Sequence, residues 1–534
     1  MKKRWIYPTL LIVTLFLIYS SQAESLFAPS KDTPKSAEPA AATTPTTSAA
    51  PTTTAPAATT TAPVTTSTAV QAATTPTTEP ANKSGLEKFR DWFHNPTNWL
   101  SMGADVRFRY IYAPNIDSFN NQADRRDYHF TRYRFRYWTK TKINDDVDFN
   151  IRWTWEFRNW DEPRNKDRNF QYEEIMWDNF NLTVRNLFDQ PLTMVAGRQD
   201  IVLGKGWLVC DGTPLDGSRT NFFDALRFTY MLPDKDRTLD MIYVFNRADE
   251  DAWLRPFHDI NKHTTEQDEQ GVIIYYTDKT NPELQKEAYF MYRNDNPVDV
   301  PPRDFRQYWS KKAEIYTIGG ALSGPIAGSK NWAFRSEGAV QFGEKEGMVQ
   351  APSHALTGNQ ETMQAFGTVH RIDYNFNDPH KHQIHGAFEY LSGDDPDNNK
   401  NTAFDPMWGE WPQWSELYIY SYIDETMVAE TTNLWRLNVG HSMNLSDNVT
   451  MSTDYHLLWA DENTEKNRPH ANGSMVFSNS GKFRGQLATW WLKYQLTKNI
   501  KGHFVVEYFI PGGYYAQQNH DNALWTRINV EYTF

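Results

Sequence analysis

The residues best placed to do chemistry are arginines, and they recur on alternate positions. Arg107 and Arg109 are one residue apart, Arg132, Arg134 and Arg136 keep the same step, and Arg152, Thr154, Glu156 and Arg158 continue it. Guanidinium stays charged at any relevant pH and grips a carboxylate through two parallel hydrogen bonds, so such a cluster suits an anion, above all a carboxylated one. A step of two places side chains on one face of a β-strand. The intervening positions in residues 131–158 are largely aromatic: Tyr133, Phe135, Trp153, Trp155 and Phe157. This stretch therefore reads as two strands and a short turn, each strand with one charged and one aromatic face. Adjacent strands lie about 4.8 Å apart, which gathers the seven arginines into one positive patch. Holding like charges together costs folding energy and points to a compensating use. Two uses stay open. The arginines bind an anion, or they neutralise neighbouring acids and brace the sheet. Arg198, Arg227, Arg335, Arg436 and Arg527 add to the same lining from other strands, and Glu156, Glu337 and Glu531 share those faces.

A hairpin of this kind suits a soluble sandwich with its aromatic face inside, or a membrane barrel with that face outside. The rest of the chain decides between them. Two-residue alternation recurs around Val106–Phe108–Tyr110, Leu226–Phe228–Tyr230, Leu239–Met241–Tyr243, Ile384–Phe388–Tyr390, Trp435–Leu437–Val439 and Phe504–Val506–Tyr508. Segments 176–184 and 192–203 fit either phase. Short turns at 144–146, 186–191, 233–236, 279–282, 323–330, 377–380, 445–448 and 498–500 alternate with longer polar loops at 159–171, 204–221, 248–269, 296–311, 343–360, 393–430 and 461–482. Short periplasmic turns alternating with long extracellular loops are the mark of outer-membrane barrels. The expected fold is all-β: a transmembrane antiparallel barrel of about 18 strands over residues 101–534. In lipid every backbone polar group is paired internally, so the strands must close into a ring, with aromatic faces toward lipid and charged faces toward a watery lumen.

The remaining composition agrees. Aromatics are 15% of the chain, yet mean hydropathy is −0.69. No stretch after the first twenty residues is apolar enough for a spanning helix. The net charge of −12 argues against nucleic acid as a partner. Residues 1–23 read as a signal peptide, with a basic start at Lys2, Lys3 and Arg4, a short apolar run and a small-residue cleavage site. Residues 24–83 are rich in Thr, Ala, Pro and Ser and read as a disordered periplasmic tether, a route to a secretion or cell-wall partner. Residues 84–100 hold a short amphipathic helix and a lead-in; Leu86, Phe89, Trp92 and Phe93 recur at helical spacing. The helix packs at a domain edge or lies on a membrane surface. Cys210 is the single cysteine, so no internal disulfide forms.

Several short runs resemble one family. Ala196–Ile201 (AGRQDI) followed by Phe223–Arg227 (FDALR) resembles the paired signature of the bacterial alginate-export porins. Tyr390–Asp394 with Ala403–Pro406, and Glu507–Gly512, resemble further signatures of that family. A last strand ending in Phe534 resembles the assembly signal of outer-membrane barrels. The resemblance covers most of residues 99–534. It implies an 18-stranded outer-membrane barrel whose arginine-rich lumen passes an anionic polyuronate outward. The long tether and the longer acidic loops depart from the family pattern and bear on the substrate more than on the fold.

Other constellations are weaker. There is no nucleophile elbow, zinc helix or phosphate loop, so the chain does not read as an enzyme and needs no cofactor. Asp394, Asp395 and Asp397 form a candidate Ca²⁺ site in an extracellular loop, without the spacing of an EF-hand. His380, His382 and His385 cluster near a predicted periplasmic turn, as a metal site or as a solvated turn. Three classes of function remain: a channel for an anionic polysaccharide or its fragments, an anion-preferring porin for small solutes, and a barrel enzyme or adhesin.

Overall fold

The computed structural model describes residues 84–534, except 117–118, 123–126, 163–174, 211–221, 250–252, 259–263, 266, 299–311, 349–355, 396, 410–411, 419–431, 464–476 and 479. The signal peptide and the tether lie outside the described residues. Among the described residues, eighteen strands pair antiparallel in sequence order. They are β1 (Leu100–Ala113), β2 (Tyr128–Lys142), β3 (Val147–Glu162), β4 (Ile175–Val184), β5 (Leu192–Gln199), β6 (Phe223–Met231), β7 (Arg237–Asn246), β8 (Asp268–Asp278) and β9 (Gln285–Asn296). The second half comprises β10 (Ala313–Pro325), β11 (Trp332–Met348), β12 (Leu356–Asn375), β13 (Gln383–Leu391), β14 (Leu434–Ser446), β15 (Val449–Trp459), β16 (Phe483–Gln495), β17 (Ile500–Pro511) and β18 (Ala523–Thr533). Strand β1 also pairs with β18, with Arg107 opposite Glu531 and Arg109 opposite Asn529, so the ring is closed and has no edge.

Burial along the strands is inverted relative to a soluble sheet. On β1, Val106 is 50% exposed and Arg107 only 1%. Phe135, Val272, Ile274, Val340, Phe342, Trp435, Leu437, Tyr508 and Ile528 are likewise exposed, whereas Arg132, Arg134, Thr154, Glu156, Asp224, Arg293, Glu389 and Glu507 are buried. The period-two alternation therefore turns the apolar set outward, as lipid requires, and the polar set inward. Stacked pairs between neighbouring strands, such as Tyr133–Phe157 and Tyr137–Trp153, lie on the outer face. The two ambiguous segments form β4 and β5.

One loop boundary differs from the sequence expectation. Gly343 looked like the start of a long loop, but β11 runs on to Met348 and β12 begins at Leu356. Gly343 lies inside the strand at φ 143°, where a Cβ would sit 1.9 Å from the Glu314 carbonyl oxygen. The glycine allows a close backbone approach between β10 and β11 and does not end the strand.

The amphipathic helix forms as α1 (Gly85–His94). Ser84 caps it: its Oγ accepts from Glu87 N, and the Glu87 side chain accepts from Ser84 N in return. Phe89 and Phe93 pack against Phe534 on the outside of the barrel at the short-turn rim. Phe93 meets Phe534 edge-on at 5.0 Å and Tyr137 at 6.4 Å, and Arg90 donates to Asn499 Oδ1 at 2.6 Å. Phe89 and Trp92 stay more than half or half exposed beside them.

Candidate functional site

The strand register assembles the arginines row by row. Arg109 faces Arg132, which faces Arg158; Arg107 faces Arg134, which faces Glu156; Asp105 faces Arg136, which faces Thr154. Arg107, Arg109, Arg132, Arg134 and Arg136 are all buried, on the side opposite the exposed aromatics. Acids from the same wall hold them. Glu156 takes Arg107 at 3.0 Å and Arg132 at 2.5 Å. Asp105 takes Arg134 at 2.9 Å and Arg136 at 2.7 Å, and Glu531 takes Arg134 at 3.2 Å. Arg152 reaches Asp178 at 2.8 Å and Asp200 at 2.7 Å. Arg109 donates to Asn529 Oδ1 at 2.7 Å, and the Arg158 guanidinium lies 5.1 Å from the Phe130 ring. Packing one acid between two guanidiniums fixes their rotamers and reduces the like-charge repulsion.

The other predicted arginines lie on other walls, each with its own acid. Arg198 forms a bidentate pair with Asp224 at 2.8 and 2.9 Å and sits 3.9 Å over Phe222. Arg227 reaches Asp240 at 2.8 Å, and Arg436 reaches Glu389 at 2.8 Å. Arg335 bridges Glu287 at 2.8 Å and Glu337 at 2.7 Å. Arg527 alone joins the β1–β3 wall, through β18. The structure thus brings eight of the predicted arginines together and leaves four apart.

The polar loops do not all stay outside. The sequence placed 393–430 beyond the membrane, yet much of its described part turns into the barrel. Asp405 reaches Arg293 at 3.0 Å and Lys345 at 2.9 Å, and its carbonyl accepts from Gln341 Nε2. Burial alone would raise the Asp405 carboxyl; the Arg293 and Lys345 charges override it and hold it well below the usual carboxylate range. Trp408 donates to Glu269 at 3.0 Å. The helical turn Glu416–Tyr418 sits over Glu507, which accepts from Ser415 Oγ at 2.6 Å and from the amides of Glu416 and Leu417. Glu416 also pairs with Arg527, and the Tyr418 hydroxyl accepts from Arg484. The loop after β5 meets this one: Val209 pairs with Trp408 along the backbone, Trp207 stacks on Phe404 at 5.5 Å, and Gln413 donates to the Gly206 carbonyl. The two loops pack together inside the ring.

Arg293, Lys345, Asp405, Arg484 and Glu507 were not among the sequence candidates. A signal existed for two of them. Asp405 lies in the Ala403–Pro406 run and Glu507 opens the Glu507–Gly512 run, both noted as signatures. Arg198 and Asp224, from the two halves of the paired signature, turn out to be ion-pair partners. These short runs mark ion-pairing residues of the inner face: Arg198 and Asp224 are register partners on β5 and β6, and Asp405 and Glu507 hold or receive the inward loop.

The acidic run behaves as a turn. Asp394 accepts from Thr402 N, and Asp395 accepts from Asp397 N and from the Asn398 side chain. Among the described residues, no three His, Cys, Asp or Glu side chains are grouped as a metal ion would need. The histidines separate. His380 lies against the Asn444 carbonyl, His382 against His441 at 2.9 Å, and His385 turns into the barrel to Asp454 at 2.7 Å.

The solved structures similar to this chain include a BenF-like porin from Pseudomonas fluorescens Pf-5 (11% identity, 82% of this chain and 98% of that one, TM-score 0.49) and Acinetobacter baumannii OccAB1 (10% identity, 83% and 97%, TM-score 0.49). Pseudomonas aeruginosa OccK5 (OpdH) is similar at 12% identity over 81% and 98%, with a TM-score of 0.45. No curated protein sequence matches. A sequence model described as alginate export matches residues 98–527, which is most of the chain and nearly all of the barrel. With its closed 18-strand ring and apolar outer face, the chain is an outer-membrane channel and belongs to the alginate export family.

Proposed function

We propose that this channel passes an anionic polysaccharide, a polyuronate of the alginate kind or its fragments, along the arginine wall. The observation that carries the reading is a charge imbalance. Between Asp105 and Arg109, Arg132 and Arg136, Arg152 and Arg158, and Arg527 and Glu531, the inner face carries eight arginines and three carboxylates. Asp178, Asp200 and Glu416 reach in from elsewhere, and among the described residues arginines still outnumber carboxylates. Acids that fix some guanidiniums leave the wall preorganised, so a passing carboxylate gains contacts without ordering side chains first. Such contacts are weak and repeated, which lets a polyanion occupy the lumen and still move on. The lumen acts as a passive path and not as an enzyme. A passive path serves either direction, and membership of an export family favours outward passage.

A second reading, an anion-preferring porin for small solutes, is favoured by the two loops packed inside the ring. The planar-bilayer current of the purified protein separates the two. Polyuronate added to the bath should block it, and Arg134→Glu with Arg152→Glu should lower anion selectivity and abolish the block while the barrel still folds. Block unchanged in that folded double variant would make these arginines braces and leave the small-solute porin.

The N-terminal tether belongs in the periplasm on this reading. Helix α1 sits at the short-turn rim, against Phe534 and Asn499, so the chain reaches the barrel from that side. There it is available to a secretion or cell-wall partner.

A further inference from the structure

The strand register carries the positive wall beyond the arginines, toward the short-turn mouth. Lys493 on β16 faces His503 on β17, His503 faces Asn529 on β18, and Asn529 faces Arg109 on β1. Arg109 then faces Arg132, and Arg132 faces Arg158. These six residues form one unbroken row across six adjacent strands, and all lie on the inner face. Only Asn529 and His503 carry no fixed charge, and both are tied to arginines: Asn529 accepts from Arg109 Nε at 2.7 Å, and His503 Nε2 accepts from Arg527 Nε at 3.0 Å.

A row perpendicular to tilted strands climbs the barrel. With strands about 4.8 Å apart and tilted by about 40°, each step rises roughly 3 Å. The strand ends confirm the climb. Lys493 lies two residues from the short-turn end of β16 at Gln495, whereas Arg158 lies eleven residues from the short-turn start of β3 at Val147. The row thus runs from one mouth toward the other.

Lys493 differs from the arginines above it. Arg109 and Arg132 are buried, Arg158 is half-buried, and all three are held by polar partners or ring faces, but Lys493 is exposed in the lumen. Its ammonium lies 5.3 Å over the Trp491 ring, and it makes no ion pair with a described residue. The Arg527 guanidinium lies 5.6 Å from the same ring. Asp454, the carboxylate that acts on Lys493 at longer range, is engaged by His385 at 2.7 Å and by Asn438 at 3.1 Å.

We infer that Lys493 is the capture site for carboxylate at the periplasmic mouth, and that the row from Lys493 to Arg158 is the path along which a carboxylated chain is handed up the wall. This rests on the proposed transport of a polyanion, and it adds the end at which that polyanion is first held and the residue that holds it. A compact ammonium on a flexible stem suits a first contact, since it adapts to an arriving carboxylate better than a clasped guanidinium does.

Side-resolved block tests the inference. The full mature chain is inserted in a planar bilayer with known orientation, and polyuronate is added to one bath at a time. Lys493→Gln and Lys493→Glu should weaken block from the short-turn side by about tenfold, the worth of one charge-assisted contact, with block from the loop side nearly unchanged. Arg158→Gln should show the opposite asymmetry. Equal weakening from both sides, or none with Lys493→Glu, would overturn the inference. Chloride current gives a second measurement that does not depend on the polysaccharide. Lys493→Glu should alter its rectification, and unchanged rectification would remove Lys493 from the mouth. If polyuronate fails to block the wild-type channel, the transport reading falls by itself, and the chloride result still decides whether Lys493 receives anions.

Discussion

Two walls of the same barrel handle charge in different ways. On the wall from β18 through β1 and β2 to β3, the mid-section carries eight arginines and three carboxylates. On the wall from β8 to β11, Arg293, Arg335 and Lys345 face Glu269, Glu287, Asp295 and Glu337, and the inward loop adds Asp405. The second wall is also apolar, with Ile273, Tyr275, Tyr289, Met291 and Ile315 buried between its charges. There the charges close on one another and fasten a loop. On the first wall, among the described residues, arginines outnumber carboxylates. Where carboxylates match or outnumber the cations, buried charge fastens structure, and where arginines outnumber carboxylates the wall suits an anion.

The largest expected effect lies on the second wall. Arg293→Ala leaves Asp295 and Asp405 buried without their main cation, and should cost about 3–5 kcal/mol in urea unfolding from lipid vesicles. It should also free the loop and raise single-channel conductance. Arg134→Gln should cost less, about 1–2 kcal/mol, because Asp105 keeps Arg136 and Glu531 keeps Lys501 at 3.0 Å. It should shift anion selectivity more than Arg293→Ala does. Equal stability losses at the two sites would erase the distinction between the walls.

Acid sharpens the same contrast. Asp405 is held below the ordinary carboxylate value of about 3.9, so its share of loop docking is complete above that pH and is lost as pH falls from there toward the depressed value. Conductance should hold steady down to about pH 4 and rise below it. Asp405→Asn should conduct more at neutral pH and lack that rise. The smallest effect concerns salt. Raising it should weaken polyuronate block steeply, since a watery lumen is screened over about 10 Å at 0.1 M, while the unfolding midpoint of the clasped wall moves little.

Much of this was legible before the structure. Alternation at Arg132–Tyr133–Arg134–Phe135 gave the strands, their two faces and the side on which the arginines stand. The order of short and long connections gave the ring and its two ends. What was hidden depends on register and on irregular chain. That Arg107 and Arg132 share Glu156, or that Arg152 finds Asp200, follows from pairing across strands and loops, which no local pattern encodes. Arg293 escaped notice because Tyr289 and Met291 on its face are as apolar as Phe290 and Tyr292 on the other, so period two is blurred. Asp405 and Glu416 stand in a long polar loop, where composition suggests solvent and gives no hint that it turns inward.

Helix α1 has a consequence for the order of events in assembly. Its seat is made from both ends of the barrel sequence: Tyr137 comes from the second strand, and Phe534 follows the last. Asn499, which receives Arg90, also donates to the Thr533 carbonyl, and Phe534 N donates to Ala104 on β1. None of this exists until the final strand has arrived and the seam has closed. Although it precedes every strand in the chain, the helix is thus the last piece to find its place, a clasp fastened over a finished ring. In time-resolved insertion into vesicles, protection of the α1 amides from exchange should trail that of β1 and β18.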